Sequence, residues 1–111
     1  MARISTHVLD IALGRPAAGV AVELRFAGRV LREAQTNADG RTGEPLLQTD
    51  QLETGEYELI FHAGDYLRAS GQADPLFFDR ISICFGVADT SGNYHVPLLL
   101  APYGYSTYRG S

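Results

Sequence analysis

Two histidines and an arginine carry the chemistry this sequence could do: His7 in STHVLD, His95 in NYHVPLLL, and Arg41 directly after the NADG stretch. A neutral imidazole, with an ordinary pKa near ~6.5, can take a proton from water at physiological pH. An arginine cation beside it disfavours a second positive charge and holds the ring neutral. The same guanidinium can grip a planar, heteroatom-rich ligand through its fork of donors, or stabilise the oxyanion that forms as water adds to a carbonyl. The set suits hydrolysis of a small, polar, cyclic substrate. Taken singly, each histidine is also what a structural or merely exposed residue looks like, because periodicity shows only that it points away from one core. His62, at the head of a helical segment, reads as structural or solvent-exposed.

Other chemistries find no support. None of the nine basic side chains is a lysine, which removes a Schiff-base lysine and a phosphate-loop lysine by absence. There is no glycine-rich phosphate loop and no GxSxG nucleophile elbow. No HExxH or paired-cysteine spacing points to zinc, and in NADGRTGE the glutamate falls too early for the twelfth position of a calcium loop, so no metal is expected. Cys84 lies between Ile83 and Phe85 in an apolar strand and reads as an inert small residue. The net charge of -4 comes without a basic stripe, so nucleic acid is not an expected partner.

The elements that position these residues have a period of two, the mark of half-buried strands. GVAVELRFAG puts Val20, Val22, Leu24 and Phe26 on one face and Ala21, Glu23 and Arg25 on the other. The pattern recurs in GEYELIF (Tyr57, Leu59, Phe61), in RISICFGV (Ile81, Ile83, Phe85, Val87) and in NYHVPLLL (Tyr94, Val96, Leu98, Leu100). Residues 4–10 and 30–36 add two more strands. Turn chemistry separates them at residues 13–16, 37–40, 53–55 and 89–92. AGDYLRASG breaks the pattern and predicts one short helix, capped by Asp65 and ending near Gly71. The expectation is an all-β sandwich of seven or eight short strands plus one helix.

At 111 residues the chain is one domain's worth, so residues 1–111 are read as a single domain. Hydrophobic residues make up 45% and charged residues 20%, which is neither a disordered nor a membrane composition. A lone cysteine cannot form an internal disulfide, and no apolar run approaches the ~20 residues that span a bilayer. A cytoplasmic protein without a membrane partner is the expectation, although a leader removed earlier would leave no trace. Pro97 removes a ladder donor from its strand, and Leu99 shares its outward face, so a second subunit is expected to cover that surface. The final stretch, YGYSTYRGS, bears Tyr103, Tyr105 and Tyr108. Aromatic hydroxyls favour a docked tail, while a chain end as such favours a frayed one, and both readings stay open.

Four blocks in order, STHVLD with the following G.PA, TN.DGR, YHVPLLL and the terminal YRGS, resemble the transthyretin-related family of 5-hydroxyisourate hydrolases over residues 4–111. The resemblance implies a transthyretin-like β-sandwich of two four-stranded sheets with one short helix, assembled as a homotetramer with active sites where dimers meet. It implies catalytic roles for His7, Arg41 and His95, and substrate binding by Tyr108, Arg109, Gly110 and Ser111. The implied reaction is hydrolytic opening of 5-hydroxyisourate at a lactam bond to 2-oxo-4-hydroxy-4-carboxy-5-ureidoimidazoline in urate degradation, with no cofactor. His7 is favoured over His95 as the base, on the expectation that Arg41 is its neighbour. Asn93 and the FFDRISICFGV segment depart from the commoner family pattern. The competing reading is a transthyretin-like carrier of small hydrophobic ligands, a function for which the histidines, the arginine and the YRGS end have no use.

Overall fold

The computed structural model of the chain describes residues 1–110. One layer is the antiparallel sheet β5-β4-β7-β8, built from β4 (Ala21–Phe26), β5 (Arg29–Gln35), β7 (Gly55–His62) and β8 (Arg80–Val87). The alternation read from the sequence is the alternation observed: Val22, Leu24, Tyr57, Leu59, Phe61 and Ile81 are buried, with Glu23, Arg25 and Glu58 on the opposite face. Burial of each such large apolar side chain is worth about 1.5–3 kcal/mol. β4 and β5 meet at a two-residue turn in which Ala27 (φ 52°) and Gly28 (φ 77°) are both left-handed, a geometry that matches the strands' twist.

The other layer is in two parts, β6-β1-β9 and β11-β10-β2-β3. These consist of β1 (Ala2–Ser5), β2 (Val8–Asp10), β3 (Arg15–Pro16), β6 (Leu47–Thr49), β9 (Asn93–His95), β10 (Leu98–Ala101) and β11 (Gly104–Thr107). Residues 2–10 and 93–101 run parallel, side by side, and both segments break at the same level, after Ser5 and after His95. Pro97 lacks the donor that would continue the ladder there. Hydrogen bonds still cross the break: Val96 N–H donates to the Ser5 carbonyl (2.9 Å), Leu98 N–H to the His7 carbonyl (2.9 Å), and the buried Thr6 hydroxyl to the Val96 carbonyl (2.7 Å). The period of two therefore continues through it. Ile4, Thr6, Val8 and Asp10 are buried, while Arg3, Ser5, His7 and Leu9 are not.

The core lies between the layers, where Ile4, Val8, Leu98 and Leu100 meet Leu24, Leu59 and Phe61. Phe26 and Phe85 stack on either side of Tyr57, with ring centroids at 4.3 and 5.9 Å. The short helix α1 (Gly64–Ala69) connects β7 to β8, and the Tyr66 hydroxyl donates to the buried Asp10 carboxylate (2.5 Å). Its cap differs from expectation: Ala63 occupies the N-cap without a side-chain hydrogen bond, and Asp65 sits in the first turn. A carboxylate there faces the positive end of the helix dipole, which accounts for aspartate at this place. The helix ends at Ser70, followed by Gly71 at φ 103°. Among the described residues no helix is long and apolar enough to cross a membrane.

Candidate active site

The turn before Arg41 is built by Asn37. Its side-chain oxygen accepts from the Asp39 and Arg41 N–H groups (2.9 and 3.2 Å), and its own N–H donates to the Arg41 carbonyl (2.7 Å). Gly40 then docks the turn on the broken layer, its carbonyl accepting the Val8 N–H at 2.8 Å. Only glycine serves here. Its φ is 75°, and a Cβ would drive into the Val8 carbonyl and lie 3.2 Å from the His7 ring. The docked turn brings Arg41 beside the outward face of β1.

His7 sits at the break between β1 and β2, its Nε2 2.7 Å from the Asp39 carbonyl. A carbonyl can only accept, so Nε2 carries the proton, and in the neutral ring the lone pair lies on Nδ1. His95 closes β9 directly opposite Ser5 in the parallel register, with Nδ1 2.9 Å from the Ser5 hydroxyl, leaving Nε2 as the nitrogen available to a substrate. Burial holds the pKa of His95 below the usual histidine value, and the positive charges of Arg41 and Arg3, with that of His7 when protonated, push it the same way. The ring is thus a neutral proton acceptor at physiological pH.

The tail is docked. β11 pairs with β10, and the Thr107 hydroxyl donates to the Pro97 carbonyl (2.7 Å). The Arg109 guanidinium stacks 4.2 Å from the centre of the Tyr94 ring and donates to the Asn93 carbonyl (3.3 Å). Gly110 N–H donates to the His95 carbonyl (2.7 Å), laying the Gly110 backbone against the imidazole. Ser111 lies outside the described residues.

Arg41 and His95 share a cavity of about 440 Å³, to which Arg3, Ser5 and Asn93 also contribute. His7 is on the same outward face, with its ring turned to the Asp39 turn instead of lining the cavity. Tyr108 lines a separate, more apolar cavity of about 330 Å³ with Cys84 and Phe85. Arg3 and Ser5 did not figure in the sequence reading. The signal was nonetheless there: they lie four and two residues before His7, on the same face of an alternating strand.

The remaining candidates lie elsewhere. His62 ends β7 and pairs with Glu23 (2.7 Å) on the outer face of the other layer. The Cys84 thiol is pushed up from its ordinary pKa by desolvation and by Glu56 and Glu58, so it is a poor thiolate. Among the described residues no three histidine, cysteine or carboxylate side chains converge as a metal site would require.

Comparison with known proteins places the sequence and fold in a family. The chain is 53% identical to 5-hydroxyisourate hydrolase 2 of Rhizobium meliloti (strain 1021), over 98% of this chain and 96% of that protein. It is 52% identical to the 5-hydroxyisourate hydrolase of Deinococcus radiodurans, over 97% and 95%. Among solved structures, that of Klebsiella pneumoniae 5-hydroxyisourate hydrolase superposes over the full length of both chains with a TM-score of 0.87 at 39% identity. The family model described as HIUase/Transthyretin matches residues 4–110, and the chain belongs to that family.

Proposed function

We propose that this chain hydrolyses 5-hydroxyisourate, opening the ring at a lactam bond to give 2-oxo-4-hydroxy-4-carboxy-5-ureidoimidazoline. The observation that carries the reading is the shared cavity in which a neutral His95 stands beside Arg41, in a chain about half identical to hydrolases named for that substrate.

Nε2 of His95 takes a proton from water as the water oxygen adds to the lactam carbonyl carbon. Arg41 stabilises the resulting oxyanion, and Arg3 adds a second cation to the same wall. Collapse of the tetrahedral adduct breaks the carbon–nitrogen bond. The proton held on Nε2 passes to the departing ring nitrogen, the carbonyl carbon becomes a carboxyl group, and His95 returns to its neutral form. The geometry favours His95 over His7 as base, because His7 commits one nitrogen to Asp39 and stands outside the cavity. His7 contributes positive potential at His95 when protonated. Two arginines and a histidine suit a polar heterocycle better than a hydrophobic hormone, and no observation favours the carrier reading.

The proposal includes assembly as a homotetramer with each site completed between dimers. Support comes from the outward position of the cavity and from the exposed large side chains Ile11, Leu13, Tyr103 and Tyr108, which a second subunit would cover.

Removal of residues 108–111 tests the role of the tail. It frees the His95 carbonyl and ring edge from Gly110 while leaving β11 intact. The expected result is loss of 5-hydroxyisourate turnover by at least about a hundredfold with the circular dichroism spectrum retained. Full turnover by the truncated chain would contradict it.

A further inference from the structure

The two site histidines have different kinds of partner. His7 faces a backbone carbonyl, which accepts only and fixes one tautomer. His95 faces the hydroxyl of Ser5, which can accept or donate. The Ser5 backbone is held by the Val96 N–H and by its register opposite His95, and its half-buried side chain touches the same cavity as the imidazole. Among the described residues the Ser5 hydroxyl has no hydrogen-bond partner other than Nδ1 of His95.

We propose that Ser5 is a positioning residue for His95: its hydroxyl accepts the Nδ1 proton, so that the Nε2 lone pair is presented to the cavity. The inference rests on the hydrolytic reading above and adds a residue to it. Water activation needs a free lone pair on Nε2, and in a neutral imidazole this requires the proton to sit on Nδ1. Something must accept that proton without disturbing the ring. A carboxylate would do so, but its negative charge would favour the imidazolium and offset the two arginines. A hydroxyl orients the ring at no such cost in charge. When Nε2 takes the proton of water, Nδ1–H remains donated to Ser5, and when Nε2 releases it to the leaving nitrogen the starting tautomer is restored. No rotation of the ring is needed at any stage. The neutral partner, the burial and the neighbouring arginines thus work together: burial and then the arginine charges disfavour protonation of the ring, and Ser5 decides which nitrogen is bare.

The test uses the full-length protein labelled with nitrogen-15 in histidine, with the His95 ring observed by long-range proton–nitrogen correlation at about pH 8, where an ordinary histidine is neutral. Three proteins are compared: wild type, Ser5→Ala and Ser5→Thr, the last keeping a hydroxyl on a strand that accepts a β-branched residue. Wild type should hold the proton on Nδ1 of His95, Ser5→Ala should move it toward Nε2, and Ser5→Thr should restore it. In parallel, kcat for 5-hydroxyisourate should fall about tenfold or more in Ser5→Ala with KM little changed, and should recover in Ser5→Thr. A wild-type ring protonated on Nε2 overturns the proposal. So does a Ser5→Ala variant whose kcat falls while the His95 tautomer stays as in wild type, since the role would then be packing alone. The spectra need no turnover, so a chain that fails to hydrolyse 5-hydroxyisourate overturns the hydrolytic reading on different evidence from that which overturns the tautomer.

Discussion

Gly110 is the residue of the tail on which the structure makes the sharpest demand. A Cβ added there would lie 2.6 Å from Cδ2 of His95, 3.4 Å from Cγ and 3.5 Å from Cβ. Carbon atoms in ordinary contact are about 3.5–4.0 Å apart, so either the ring or the tail must give way by roughly 1 Å. Backbone strain is not at issue, because Gly110 is not among the glycines of positive φ. The conflict is therefore between one methyl group and one imidazole. A displacement of about 1 Å in a group that transfers a proton costs up to roughly a hundredfold in rate, so Gly110→Ala should lower kcat about 10- to 100-fold, equivalent to about 1.4–2.7 kcal/mol of transition-state stabilisation. Gly110 lies outside the core, so the melting temperature should change by no more than about 2–3 °C. The assay is steady-state turnover of 5-hydroxyisourate beside a thermal melt. Wild-type kcat in a folded Gly110→Ala protein would refute the claim that the tail clamps His95. A loss of kcat accompanied by a large drop in melting temperature would refute it as well, by showing damage to the fold.

Two further outcomes are expected. Desolvation and the charges of Arg41 and Arg3 lower the pKa of His95, as does His7 when protonated, so the acidic limb of kcat/KM should fall below the ordinary histidine value of ~6.5. Arg41→Met removes one of those cations and should shift that limb to higher pH; an unmoved limb would mean that His95 does not feel Arg41. Sedimentation velocity should find a species near four times the 12.1 kDa chain mass, and a stable, active monomer would contradict a site completed between subunits.

The strands of the antiparallel layer were legible because their faces differ in polarity. In VAVELRF every second residue is apolar, with Val20, Val22 and Leu24 buried and Phe26 half-buried, which fixes both the strand and its orientation. β6 and β11 were not legible. Leu47–Thr49 is too short to show a period, and Gly104–Thr107 has no apolar alternation, so both are strands only because β1 and β10 offer them an edge. Pro97 announced an irregularity in its strand, and the structure locates it at the shared break where His7 and His95 sit.

The site was legible in residue type more than in arrangement. His7, Arg41 and His95 stood out as residues that could move protons and stabilise charge, and Gly40 marked the turn that carries Arg41. Which histidine faces the cavity could not be read, because that depends on whether its ring meets the Asp39 carbonyl or the Ser5 hydroxyl. Tyr108 shows the same limit. It and Arg109 both line the apolar cavity beside Cys84, where Arg109 stacks on Tyr94, and neither lines the cavity that holds Arg41 and His95. The contribution of Gly110 depends on backbone approach, which no side-chain motif encodes.

The most direct test of the account is the decay of freshly generated 5-hydroxyisourate, followed by ultraviolet absorbance with no protein, with the wild-type chain and with His95→Ala. The account predicts decay well above the spontaneous rate with wild type and a fall of at least about a hundredfold in that enhancement with a folded His95→Ala protein. Decay that stays at the spontaneous rate with wild-type protein would contradict the proposed hydrolysis, and undiminished decay with His95→Ala would contradict the role given to His95.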